Sequence, residues 1–143
     1  MWATALAYLS NRAVQHRLDE IVTPPNWRNE FQFVTGGIMC GIGIRVGSEF
    51  VTKWDGSAAT DIEAFKGGLS GAMKRAGAQW GIGRYLYHLS EGFVETRPDK
   101  LGPAWKWGKT KEGANFYWLP PQLPAWALPG GKGEPDPDDQ TPA

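Results

Sequence analysis

The sequence predicts an α+β fold in which an antiparallel sheet is covered by a long helix. Two observations carry that expectation. Between residues 30 and 54 apolar side chains recur at alternate positions, interrupted at glycine-containing pairs, which is the period of extended strands joined by tight turns. On either side of this stretch they recur at three- and four-residue spacing, the period of helices. A helix, three antiparallel strands and a long helix, in that order, give a β-β-β-α core of layered type.

The first helix is signalled by Ser10 as N-cap and by Val14, Leu18, Ile21 and Val22 at helical spacing, and Pro24-Pro25 ends it. Glu30 to Val34 alternates and stops at Gly36-Gly37. Ile38, Cys40, Ile42, Ile44 and Val46 then form one face of a longer strand. Gly47-Ser48 is a two-residue reversal into Glu49–Trp54. That turn sets a register in which Val46 faces Glu49, Gly43 faces Thr52 and Gly41 faces Trp54. Glycine opposite a large ring has two readings. The ring can cover the exposed backbone, or the glycines can leave room for a helix or ligand.

The second helix opens on Thr60 and Glu63, a capping box, with Asp61 at the positive end of the helix dipole. Ile62, Phe65, Leu69, Met73, Ala76 and Trp80 share one stripe, expected to be core. Gly67, Gly71 and Ala78 make a second, bare stripe, with Lys66, Ser70 and Lys74 between the two and Arg75 further round. Gly81 and Gly83 loosen or end the helix. Beyond Glu91 aromatic residues flank Gly108–Gly113, which reads as a short hairpin. The expected organisation is a single domain over residues 1–128 and a disordered, acidic, Pro/Gly-rich tail over 129–143.

Composition narrows the chemistry. The chain has 143 residues with one cysteine and two histidines, so a disulfide within the chain is impossible and a Cys/His zinc site lacks ligands. Cys40 reads as a small buried hydrophobe. No apolar run reaches membrane-spanning length, and nothing resembles a secretory leader, so a cytoplasmic location is expected. The formal net charge is zero, unusual for a nucleic-acid binder, but the average hides contrast. Residues 66–87 hold Lys66, Lys74, Arg75 and Arg84 and no acid, whereas Glu134, Asp136, Asp138 and Asp139 crowd the tail.

Several site chemistries fail on context. Gly41-Ile42-Gly43 lies inside a strand and is followed by a turn rather than a helix, so it is no dinucleotide loop. Gly108-Lys109-Thr110 has Pro103 where a phosphate-binding loop requires glycine. Asp55, Asp61 and Glu63 form the one plausible catalytic set, a magnesium cluster for a metal-dependent nuclease. The competing reading makes Asp61 and Glu63 helix caps and Asp55 a loop residue. The cations, with Tyr85 and Tyr87, suit phosphate neutralisation and base stacking, although a solvated basic face has the same composition.

Three segments decide between these readings. They are Leu6–Val14 continuing to Asn26-Trp27, the strand pair ending in Trp54-Asp55-Gly56, and Asp61–Ala76 with Trp80–Tyr87. Over them the chain resembles the Rad-fifty-two single-strand annealing superfamily, most closely its bacterial DNA-damage-response A (DdrA) branch. The resemblance implies a non-catalytic homo-oligomer, ring-shaped, that holds single-stranded DNA in a basic groove, with no metal and no cofactor. Annealing of complementary strands, protection of 3′ ends and a nucleoid-associated role in DNA repair and recombination follow from the same resemblance. It places Lys74-Arg75 on DNA phosphates, with Lys66, Arg84 and Tyr85 as further DNA-binding residues. Arg12 stands one position before a DNA-contacting arginine of the family, where this chain has Ala13, and another family arginine is replaced here by Ala78.

Overall fold

The computed structural model describes residues 1–58 and 64–131. The chain runs β1 (Trp2–Ala5), α1 (Asn11–Val22), β2 (Trp27–Val34), β3 (Gly37–Val46), β4 (Glu49–Ala58), α2 (Ala64–Gln79), β5 (Gly92–Arg97), β6 (Lys106–Lys109) and β7 (Asn115–Trp118). The mixed architecture, with antiparallel sheets and two helices, is the expected α+β class. These elements divide into two compact units, one of residues 8–84 and one of residues 1–7 with 85–143.

The 8–84 unit is the β-β-β-α core. Ser10 is the N-cap of α1, its hydroxyl accepting from the Ala13 N–H at 3.2 Å. The helix stops at Val22, and Thr23 leaves it with φ +67° ahead of Pro24. The sheet order is β2-β3-β4. Val46 pairs with Glu49, Gly43 with Thr52 and Gly41 with Trp54, so the register expected from the Gly47-Ser48 turn holds along the strand. Gly47 has φ +65°, the left-handed conformation that such a reversal needs.

The two faces of this sheet differ. Ile38, Cys40 and Ile42 point at the helices and join Val14, Leu18, Ala72, Met73 and Ala76 in the buried core. Trp80 packs against this cluster and donates its indole N–H to the Ile42 carbonyl at 2.9 Å. Burial also pushes the Cys40 thiol up to about 11, so it stays protonated at neutral pH. On the opposite face the Trp54 ring lies directly on Gly41, where an added Cβ would meet ring atoms at 2.6–2.8 Å. Of the two readings of Gly41, the ring covering the backbone is the one adopted.

Phe65 departs from the expected core stripe. It is 54% exposed and stacks on Phe33, with ring centroids 5.6 Å apart and planes within 9°. Phe33 is itself at the end of β2, so the first turn of α2 meets the sheet where the sheet is running out. Ile62 and the capping box Thr60–Glu63 lie outside the described residues.

The second unit is a four-stranded sheet of order β1-β5-β7-β6. The expected hairpin is present as β6 and β7, paired from Lys106↔Trp118 to Lys109↔Asn115. β1 and β5 were not expected, and they pair antiparallel from Trp2↔Glu95 to Ala5↔Gly92. Val94, Thr96 and Ala127 are its buried residues. The acidic tail, from residue 132 on, lies outside the described residues.

Candidate nucleic-acid interface

The candidate site follows from how α2 lies on the sheet. Met73 and Ala76 are fully buried, which fixes the rotation of the helix about its axis. At 100° per residue, Lys74 and Arg75 then leave the helix away from the core and on either side of the line through Gly67 and Ala78, whereas Gly71 departs from the expected bare stripe, since a Cβ there would meet the Ser57 side chain at 3.2–3.3 Å. Gly67 has nothing within 4 Å of where a Cβ would stand, so a ligand backbone can approach there. Lys66 is exposed, about 12 Å along the axis from Lys74.

Arg75 leans toward β4. Its Nε donates to Asp55 Oδ1 at 3.1 Å, and its side chain remains half exposed. The Asp55 carboxylate also accepts from the Gln79 side-chain amide at 3.1 Å and from the Gly56 N–H at 2.7 Å. Partial burial works to raise its pKa, but the hydrogen bonds from Gln79, Gly56 and Arg75 and the Arg75 charge together outweigh it and hold the carboxyl below its ordinary value. Asp55 is therefore an anion at neutral pH with its oxygens already occupied. Because only Nε of Arg75 is engaged among the described residues, its two Nη groups are left to face an incoming acceptor.

The C-terminal end of α2 gathers two more cations. Arg84 donates from Nε to the Ala78 carbonyl at 3.0 Å and from Nη2 to the Gln79 carbonyl at 3.2 Å. Lys53 Nζ donates to the same Gln79 carbonyl at 3.1 Å and sits 4.6 Å from the centroid of the Trp80 ring. Both occupy the negative end of the helix dipole, where a cation is favoured. Together Arg75, Arg84, Lys53 and Asp55 make a cluster of net charge +2, three cations less one acid.

The sequence-predicted residues thus fall into three places. Lys66, Lys74, Arg75 and Arg84 belong to α2 and its C-terminal end. Arg12 is exposed in the first turn of α1. Tyr85 is partly buried and belongs to the other unit. Lys53 was missed. The register pairs Lys53 with Ile42 and so puts it on the helix-facing side, and a charge on the inward face of a strand was the available signal. Of the alternative nuclease set, Asp61 and Glu63 lie outside the described residues, while Asp55 is bound as above.

The decisive comparison is with families of known proteins. The family described as "Rad52/22 family double-strand break repair protein" matches residues 37–101, which run from β3 through α2 to β5. That segment of the chain is similar to the Rad52/22 family. Its relatives include the "Single-stranded DNA-binding protein DdrA" of Deinococcus radiodurans, 35% identical over 129 residues, 89% of this chain and 55% of the relative. The protein of the same name from Deinococcus deserti is 34% identical over 129 residues, 89% of this chain and 57% of the relative. The chain spans little more than half the length of these relatives. No solved structure matches it. Within residues 37–101 lie Lys53, Asp55, Lys66, Lys74, Arg75 and Arg84, so every member of the α2 cluster falls inside the matched segment. Arg12 precedes it.

Proposed function

We propose that this chain binds single-stranded DNA without regard to sequence, through the solvent face of α2, and supports strand annealing or 3′-end protection in DNA repair. The observation that carries the reading is the pairing of Lys74 with Arg75 on the solvent side of α2, with Asp55, the acid beside them among the described residues, already satisfied. Lys74 supplies a point charge, and the Nη pair of Arg75 supplies two parallel donors suited to a phosphate. Gly67 permits the sugar-phosphate backbone to come close. The role is binding rather than catalysis. A cytoplasmic location and a homo-oligomeric state, expected from the sequence resemblance, are part of this reading. No helix among the described residues is long and apolar enough to cross a membrane.

Replacing Lys74 and Arg75 together by alanine tests this. Each phosphate contact on a single strand contributes roughly 0.7 to the slope of log K against log salt, so the double variant is expected to lose about 1.4 of slope, on every sequence alike. A folded variant with unchanged affinity and slope removes α2 from the interface. End-labelled single strands incubated with magnesium separate the nuclease alternative: the binder retards the strand intact, whereas Asp55, Asp61 and Glu63 acting as a metal site would shorten it.

A further inference from the structure

The solvent face of the β1-β5-β7-β6 sheet is not used by the reading above. Strand alternation and register place Trp2, Phe93, Arg97, Tyr117, Trp107 and Lys109 on one side of it: Trp2 pairs with Glu95, Arg97 with Tyr117, and Tyr117 with Trp107. The other side carries the buried Val94 and Thr96. Trp2 is 70% exposed, Phe93 74% and Trp107 59%. Three large rings left open to water on one sheet face call for a ligand.

The composition of that face identifies the ligand. Its strand positions hold aromatic, charged and small polar side chains and no Leu, Ile, Val or Met. Exposed rings beside Arg97 and Lys109, with Glu95 on the same face paired to Arg97, suit stacking on bases and contact with the phosphates between them. Arg97 is held by Glu95 at 2.9 Å and is half exposed, so its position is fixed beside Tyr117 without being shielded. From Phe93 to Trp107 the face extends four residues along β5 and two strands across, roughly 16 Å, enough for two or three nucleotides.

We propose that this face is a base-stacking platform for single-stranded DNA, chemically distinct from the phosphate-binding cations of α2. The proposal rests on the single-stranded DNA reading. It differs from that reading in what it recognises, bases rather than phosphates, and this is what the test exploits. The full chain is titrated with an oligothymidine and with an abasic oligomer of the same length and charge. The wild type is expected to prefer the thymidine strand by tenfold or more, with its tryptophan emission quenched on binding. Phe93→Ala with Trp107→Ala is expected to bind both strands equally, with the wild-type salt slope. Phe93→Tyr with Trp107→Tyr, which keeps both rings, is expected to retain the preference. Equal binding of the two strands by the wild type overturns the platform and leaves the α2 reading intact. Retained preference in the alanine variant, or a change in its assembly mass measured by light scattering, assigns the face to contacts between copies and also overturns it. A wild type that binds neither strand overturns the α2 reading itself.

Discussion

Trp80 separates a structural role from a DNA-stacking role more sharply than any other side chain in the 8–84 unit. It follows α2 directly, packs against the core, and spends its one polar group on the Ile42 carbonyl. It is partly buried. With roughly 150 Å² of its surface withdrawn from water at about 25 cal/mol per Å², truncation to alanine removes about 4 kcal/mol of burial. Loss of the indole bond to the Ile42 carbonyl adds about 1 kcal/mol. Against this, Trp80 borders an open cavity with Leu18, Ile44 and Ile82, through which water can reach the carbonyl and offset part of the loss. The expected net cost of Trp80→Ala is about 4 kcal/mol, whereas Trp80→Phe, which keeps most of the ring, costs about 1–2 kcal/mol. For a chain of this size these correspond to drops in Tm of roughly 10–20 °C and about 5 °C. Circular dichroism melts of both variants give the stability. Titration with single-stranded DNA at low temperature, where both remain folded, gives the binding, expected to stay within about threefold of wild type. Unchanged melting with lost DNA binding would show that Trp80 stacks on bases, and the placement of its ring against Ile42 would be refuted.

Three further outcomes follow from single contacts. Asp55 is stabilised as an anion in the folded state, so its contribution is present above the ordinary carboxylate range and is lost as pH falls through its depressed folded pKa; acid melts of Asp55→Asn should show a flatter pH dependence than wild type. The same variant removes a negative charge about 7 Å from a phosphate on Arg75, worth about 0.6 kcal/mol in water, so its DNA affinity should rise about threefold at low salt; an unchanged or reduced affinity counts against that placement of the phosphate. Gly41→Ala drives a methyl into Trp54 and should cost about 1–3 kcal/mol, while Gly67→Ala, with open space around it, should be neutral or stabilising by up to about 1 kcal/mol; equal melting shifts would refute the close Gly41–Trp54 packing. Arg84→Ala loses two bonds to helix carbonyls and should lower stability by about 1 kcal/mol, measured by the same melts.

The β2-β3-β4 sheet was legible because one local feature, the Gly47-Ser48 turn, fixes the pairing of ten residue pairs at once. The α2 cations were legible as residues but not as a geometry. Their roles depend on Asp55 and Lys53, contributed by a strand 20 to 26 residues earlier, and helical periodicity carries no record of that. β5 did alternate, with Val94 and Thr96 inward and Phe93, Glu95 and Arg97 outward. Its pairing with β1 joins residues about ninety apart, and four residues such as Trp2–Ala5 are too short to show a period. Phe65 misled because a helical stripe says which side of a helix is apolar and not how far the sheet beneath it extends.

A chain of zero net charge can still hold a polyanion if its cations differ in what already occupies them. Arg84 and Lys53 are committed to the carbonyls that end α2, where they balance the partial negative charge of the helix terminus. Among the described residues Arg75 is committed through Nε alone, and Lys74 has no ion pair. The four cations are therefore unequal. Releasing counterions from a DNA strand requires a charge placed against a phosphate, and a charge already balanced by a helix end contributes less to the salt slope than an unbalanced one. On the proposed reading the α2 surface offers Lys74 and the Nη edge of Arg75 to the strand, with two other cations behind them that offset the charge of the helix end. Asp55 serves the same arrangement from the other side, holding one edge of the Arg75 guanidinium while the opposite edge remains open to solvent.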